Sequence, residues 1–343
     1  MTSFVDVTNM ARWAFDTGIE KITSEMMEYL ADDFHQWDSF EKIPRVASHS
    51  PIGVIELMPI SDSREYSFKY VNGHPSNPAR GFQTVTAFGM LADVDNGYPT
   101  FVAEMTILTA LRPAAVSALV AQRLARPDSR VHAMIGTGSQ AEFQALAMRG
   151  ALGVESLRVF DIDPAAMDKF RRNIEPLGFD IEICSSADDA VRGADVITVC
   201  TADKQHATVL HDSQVTPGVH LNAIGGDCPG KTELEAAIVE RSTVFVEFEP
   251  QTRIEGEIQQ MAPDFPVVEF ADVVRGMHPG RTSDDEITLF DSVGFAMADF
   301  SALKYVRDAV ADTHYVDDIE LIADPDDPKD LFSLIVPSMS PIL

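Results

Sequence analysis

From residue 131 onward the chain alternates short apolar runs with stretches of helical period. Runs at 131–135, 157–161, 180–184, 195–200, 220–224 and 243–247 read as strands, with a further strand at 287–290. Helical pattern fills 139–149, 164–177 and 294–310. Strands at this spacing with helices between them make a parallel, doubly wound sheet. Residues 1 to about 112 behave differently. Helical pattern over 10–34 precedes strand-like segments at 54–58, 66–71, 84–93 and 100–104, with a hairpin signal at Asp95-Asn96-Gly97. The predicted class is α/β: a doubly wound parallel sheet over 113–310 after a mixed α+β domain over 1–112. Residues from about 311 to 343 are expected to pack back on that first domain.

At 343 residues and 45% apolar, the chain is long enough for two domains with real cores. No apolar run approaches the length of a membrane span. The start, Met1-Thr2-Ser3-Phe4-Val5-Asp6-Val7, has no basic patch ahead of an apolar core, so no signal peptide is expected. Cys184, Cys200 and Cys228 are irregularly spaced, which suits a reducing compartment and neither a disulfide framework nor a metal site. A cytoplasmic location follows as the expectation. The formal charge of -28 argues against nucleic-acid binding, because a phosphate backbone would be repelled. The acid-rich stretch 312–330 contributes to it and reads as a solvated segment. With 26 basic residues against 54 acidic ones, a basic residue beside a glycine turn carries more weight.

Gly136-Thr137-Gly138-Ser139-Gln140-Ala141 follows a predicted strand, opens a predicted helix, and is followed by Asp161 at the end of the next strand. That is the context a Rossmann-type dinucleotide fingerprint requires. Gly136 allows the tight turn, Gly138 lets backbone approach a pyrophosphate, and the helix N-terminus offers N–H groups and positive dipole. Asp161 would accept from ribose hydroxyls and repel a 2′-phosphate, so NAD is expected over NADP. Asp163 reads as the N-cap ahead of Pro164. About ninety residues downstream lies Gly225-Gly226-Asp227-Cys228-Pro229-Gly230-Lys231-Thr232-Glu233. A carboxylate on a sharp glycine turn, beside a lysine and within reach of a nicotinamide, suits proton transfer coupled to hydride transfer. The bland alternative is a strand-to-helix loop with Lys231 and Glu233 solvated.

Several long blocks resemble the ornithine cyclodeaminase/mu-crystallin family over nearly the whole chain. They include 45–50, Gly53-Val54-Ile55-Glu56-Leu57-Met58-Pro59, Phe68-Lys69-Tyr70-Val71-Asn72-Gly73-His74-Pro75, 136–144, 220–233, 249–260, 290–294 and 326–332. The resemblance implies NAD-dependent conversion of L-ornithine to L-proline with loss of ammonia, and a homodimer built through the N-terminal sheet. It places the catalytic aspartate on Asp227. It places carboxylate ligands on Arg45, Lys69 and Arg112, the acid for the distal ammonium on Glu56, and Val293 beside the substrate. Cofactor contacts fall on Thr84, Gly136, Gly138, Ser139, Gln140, Asp161, Thr201, Asn222, Ala223, Ile224, Lys231 and Ser292, with Arg112 close to both ligands. Where the family reads Arg-Thr-Ala-Ala, this chain has Arg112-Pro113-Ala114-Ala115. A proline suits the first turn of a helix, and the change removes a hydroxyl near the cofactor.

Taken singly, Arg45, Lys69 and Arg112 read as solvated surface charges. Together they form the clamp that an amino-acid carboxylate needs in a desolvated cleft. Glu56 sits in an apolar strand and shares a face with Val54 and Met58, so it needs a partner. Cys228 has no adjacent histidine and reads as structural, and His49 and His74 as packing or hydrogen-bonding residues. An amino-acid dehydrogenase or ketimine reductase on the same scaffold is the rival enzyme reading, and a non-catalytic nucleotide binder the rival class. Lysine or diaminobutyrate competes with ornithine as substrate.

Overall fold

The computed structural model describes residues 1–201, 208–226 and 228–335. The chain opens with β1 (Thr2–Val5), α1 (Val7–Thr17), α2 (Ile19–His35), β2 (Glu41–Lys42), β3 (Val46–Ser50), β4 (Gly53–Ser61), β5 (Glu65–Gly73), β6 (Val85–Asp93) and β7 (Pro99–Glu104). Helix α3 (Thr106–Leu124) leads to a second set of strands. These are β8 (Val131–Ile135), β9 (Ser156–Phe160), β10 (Asp180–Ile183), β11 (Val196–Val199), β12 (His220–Ala223), β13 (Thr243–Val246), β14 (Val268–Glu269) and β15 (Thr288–Asp291). Between them run α4 (Ala141–Leu152), α5 (Pro164–Ile174), α6 (Ala187–Val191), α7 (Ala236–Glu240), α8 (Glu249–Glu255) and α9 (Phe270–Val274). Then follow α10 (Ala296–Val310) and β16 (Asp317–Ile319).

The second sheet is parallel throughout, in the order β10-β9-β8-β11-β12-β15-β13-β14. From β8 the chain winds one way through β9 and β10, then returns to the other side of β8 with β11. A crevice opens at such a switch point, outside the carboxyl ends of the strands. The doubly wound sheet expected from the sequence is present, with strand ends within two residues of those read from the pattern.

The first sheet is mixed. Its order is β16-β1-β7-β6-β5-β4-β2, with β3 also on β4, and β1 runs parallel to β7. β16 pairs antiparallel with β1, matching Thr2 with Ile319. The helical stretch read as one over 10–34 is two helices, broken at Gly18 with φ +88°. Period-2 alternation sorts β4 cleanly: Glu56, Met58 and Ile60 face inward and are buried, while Ile55 and Leu57 face outward. Helix α10 covers the inner face, packing on β4, β5 and β6. The sequence pattern grouped this helix with the nucleotide-binding sheet.

Helix α3 is buried on nearly every side and runs straight through residues 112 and 113. Pro113 therefore lies in the helix interior, which corrects the expectation of a first-turn proline. Proline has no N–H, so the Thr109 carbonyl four residues earlier loses its helical donor. Gln140 Nε2 donates to that carbonyl instead, at 3.1 Å. The helix is thereby stitched to the start of α4.

His132 on β8 and His220 on β12 lie in one row of the parallel sheet, each paired in register with Val196. His132 Nε2 is 2.9 Å from Thr198 Oγ1, and His220 Nδ1 is 2.9 Å from Thr288 Oγ1. Burial holds His132 down to about 4 and, with Arg281 nearby, His220 to about 3. Above the ordinary value of about 6.5 both are neutral folded or unfolded, and below it only the unfolded chain takes up protons. Stability should therefore fall as pH drops from about 6.5 towards 4. In urea titrations His132→Gln should flatten that fall relative to wild type, and identical pH slopes in the two proteins would contradict it.

Candidate active site

The carboxyl ends of β8, β9, β11, β12, β13 and β15 supply one group of polar residues. After β8 the chain turns at Gly136, whose φ is +99°. A Cβ there would lie 2.9 Å from the Cys200 carbonyl, so only glycine fits. A Cβ on Gly138 would meet nothing within 4 Å. No packing against the described residues demands that glycine, which fits a backbone left bare for a ligand. Gly138 and Ser139 are exposed, and α4 begins at Ala141 with no side-chain cap from Gln140 on its first turn. Asp161 accepts from the Thr137 amide at 2.6 Å and from the Asp163 amide at 2.9 Å. Thr137 Oγ1 donates to it as well, at 3.1 Å, so the carboxylate is fixed against the glycine turn with about one lone pair left over for a further donor. Asp163 does cap α5 ahead of Pro164.

On the other side of the switch point, Lys231 is 3% exposed. Its Nζ donates to the Thr201 carbonyl at 3.2 Å and to the Gly225 carbonyl, and lies 3.4 Å from Glu233 Oε1. Thr201 Oγ1 donates to the same carboxylate. The solvated reading of Lys231 and Glu233 therefore fails. Asn222 and Ala223 are buried in β12, Ile224 follows, and the Ala223 carbonyl accepts from the Ser292 amide at 2.9 Å. Asp227 lies outside the described residues. Thr84 precedes β6, and its carbonyl accepts from the His74 amide at 2.8 Å and Asn72 Nδ2 at 3.4 Å, contacts internal to the first sheet.

Between the two sheets lies a buried cluster of charges. Arg45, Lys69 and Arg112 have side chains only 7%, 2% and 5% exposed, which removes the solvated reading for all three. Arg45 Nη1 is 3.2 Å from Glu56 Oε2, and its Nε is 3.1 Å from Glu255 Oε2. Its Nη2 donates to the Val293 carbonyl and, at 2.7 Å, to that of Gly294. Lys69 Nζ and Arg112 Nε meet the same oxygen, Asp299 Oδ1, at 2.9 and 3.1 Å. Gly294 has φ +74°, and a Cβ there would stand 3.1 Å from the Arg112 guanidinium. Glu247 accepts from the Gly294 amide at 2.9 Å and from Ser292 Oγ at 3.2 Å.

Burial pushes Glu247 up and brings Lys69 down to about 8, the latter against the opposing pull of Asp299. Three cations so placed can grip a carboxylate, and the acids beside them can receive an ammonium. The residues brought together here are Arg45, Glu56, Lys69, Arg112 and Val293. The sequence reading missed Asp299, Glu247 and Glu255. A usable signal existed for Asp299: it is a lone acid in the apolar stretch 295–300, as Glu56 is in 53–60.

Asp299 holds two buried cations, so Asp299→Asn should cost roughly 3–5 kcal/mol, the scale for leaving a buried charge without its partner. Urea unfolding measures this directly. A loss below about 1 kcal/mol, the worth of an exposed ion pair, would show that these charges are solvated.

A sequence model of the ornithine cyclodeaminase/mu-crystallin family matches residues 7–314. A curated relative, the ornithine cyclodeaminase of Agrobacterium fabrum, is 58% identical over 97% of this chain and 94% of its own length. Among solved structures, an archaeal alanine dehydrogenase dimer with bound NAD aligns with a TM-score of 0.84 at 28% identity, covering 94% of this chain and 99% of its own. A lysine cyclodeaminase studied for its recognition of L-lysine, L-ornithine and L-2,4-diaminobutyric acid aligns with a TM-score of 0.83 at 31% identity, covering 90% and 92%. On these matches and on the fold and site above, the chain belongs to the ornithine cyclodeaminase/mu-crystallin family.

Proposed function

We propose that this protein catalyses the NAD-dependent conversion of L-ornithine to L-proline with release of ammonia. The observation that carries the reading is the buried charge cluster, in which Arg45 holds Glu56 while Lys69 and Arg112 stand beside it. A diamino acid brings one carboxylate and one distal ammonium. Its carboxylate meets Arg45, Lys69 and Arg112, and its distal ammonium meets Glu56. The internal Arg45–Glu56 pair is thereby exchanged for two pairs with substrate, so that few charges remain buried without a partner. A monoamino acid leaves Glu56 unmatched.

The nucleotide crevice fits NAD. Gly136, Gly138, Ser139 and Gln140 line the phosphate turn, and Asp161 disfavours a 2′-phosphate. Thr201, the 222–224 strand end, Lys231 and Ser292 border the nicotinamide side, Arg112 adjoins it, and Thr84 is assigned to the cofactor by resemblance alone. When bound, NAD would accept the hydride from C2 of the substrate and return it to the same carbon. Asp227 takes the proton that the α-amine loses, which yields an imine at C2. Glu56 takes a proton from the distal ammonium and the freed δ-amine attacks that carbon. Asp227 delivers a proton to the departing ammonia and takes the one the new ring nitrogen loses, and reduction of the cyclic imine gives proline. Val293 lies against the substrate and helps keep water from the imine.

A second copy of the chain completes the molecule in this reading. Val46, Leu57, Tyr70 and Phe88 form one continuous register row across β3, β4, β5 and β6, on the face away from α10. Val46, Leu57 and Phe88 are 60%, 45% and 46% exposed. An apolar row of that breadth suits an interface between identical subunits. Among the described residues, no helix is long and apolar enough to cross a membrane.

Incubation with L-ornithine and catalytic NAD should yield proline and ammonia in many turnovers per cofactor. Glu56→Gln should lose most of that activity while NAD binding, followed by fluorescence quenching, stays unchanged. Absence of proline from the wild type would overturn the reading, and equal losses of activity and NAD binding in the variant would remove Glu56 from its role.

A further inference from the structure

The segment 249–260 has no role in the proposed chemistry, yet it touches both ends of the site. At its start, Gln251 is 2% exposed and joins two segments of the charge cluster. Its Oε1 accepts from the Arg45 amide at 3.1 Å, and its Nε2 donates to the Gly294 carbonyl at 2.8 Å. Glu255, at the end of α8, takes Arg45 Nε. The turn then passes Gly256, where a Cβ would lie 2.6 Å from both Asp291 carboxylate oxygens. Those oxygens accept from the Glu257 and Ile258 amides, each at 2.9 Å.

Beyond this pivot the contacts move to the turn that follows Asp227. Glu257 accepts from the Glu233 and Leu234 amides at 2.8 and 3.0 Å. Gln259 Oε1 accepts from the Gly230 amide at 2.6 Å. Its Nε2 donates to the carbonyls of Lys231 and Gly256, both at 2.9 Å, and of Cys228 at 3.3 Å. An amide is the one uncharged side chain of this length that offers an acceptor on one side and two N–H donors on the other. A glutamate there would face three carbonyls with no donor.

We propose that residues 251–259 form a bracket that sets the distance between the substrate-carboxylate clamp and the proton-transfer turn, with Gln251 and Gln259 as its two joints. Both are positioning residues, acting through Arg45 and Gly294 at one end and through the 228–231 turn at the other. The inference rests on the reading of the site as one for amino-acid oxidation and return. Geometry at the reacting centre is what such a bracket supplies, and small misplacements there are costly.

The two joints should therefore fail differently. Gln259→Ala should lower kcat with ornithine by roughly 100-fold while KM moves little, the signature of lost transition-state geometry. Gln251→Ala should raise KM about tenfold with kcat nearly unchanged, since it loosens a clamp used equally in ground and transition states. Gln259→Glu should resemble Gln259→Ala, because it keeps only the bond to Gly230. Hydrogen exchange over residues 228–234, measured without substrate, should rise in Gln259→Ala and stay at the wild-type level in Gln251→Ala. Parallel changes of kcat and KM in both variants, or unchanged exchange over 228–234 in Gln259→Ala, would overturn the bracket. A wild type that makes no proline but keeps this exchange pattern would overturn the reading of the reaction and leave the bracket standing.

Discussion

One carboxylate oxygen, Asp299 Oδ1, receives both Lys69 from the first sheet and Arg112 from the helix that joins the two halves. The rest of the site is arranged around this constraint. Two cations buried beside each other repel and lose hydration, so they persist only with a fixed counter-charge. Asp299 sits on α10, which arrives from the end of the second sheet and covers the inner face of the first. The shared oxygen therefore pins three separate parts of the chain at one point. Arg45 does the same one step away, binding two acids and the carbonyls of Val293 and Gly294. The cluster is charged, almost wholly buried and already assembled, as the proposed binding of a zwitterionic substrate requires.

Half of this architecture was legible in the sequence because it is local. Parallel strands buried on both faces read as short apolar runs, and Gly136 and Gly138 punctuate the first turn in the way a dinucleotide site requires. Glu56 announced itself as a charge inside an apolar alternation. What was hidden is long-range. β1 and β16 are three to four residues long and pair across more than three hundred positions, so neither carries a periodic signal. The continuity of α3 through residue 113 was also hidden, because a proline reads locally as a helix start. Its interior position is stabilised from another element, by Gln140 on the Thr109 carbonyl.

That contact bears on the departure at Pro113. The side chain of Gln140 is engaged with α3, so in the proposed cofactor site the backbone of the 136–141 turn, rather than that amide, would meet the phosphates. The lost hydroxyl at position 113 is accompanied by a mechanical link between the joining helix and the nucleotide turn. Helix α3 thus carries Arg112 of the charge cluster and is tied at its Thr109 carbonyl to the start of α4.

The central claim is that this closed arrangement keeps the imine and the reduced cofactor together until the hydride returns to the carbon it left. L-Ornithine deuterated at C2, supplied with trace NAD, tests it most directly. Proline that retains deuterium at C2, with no reduced nicotinamide accumulating, is the result this account predicts. Deuterium washed out to solvent, or reduced nicotinamide formed one for one with product, would contradict it.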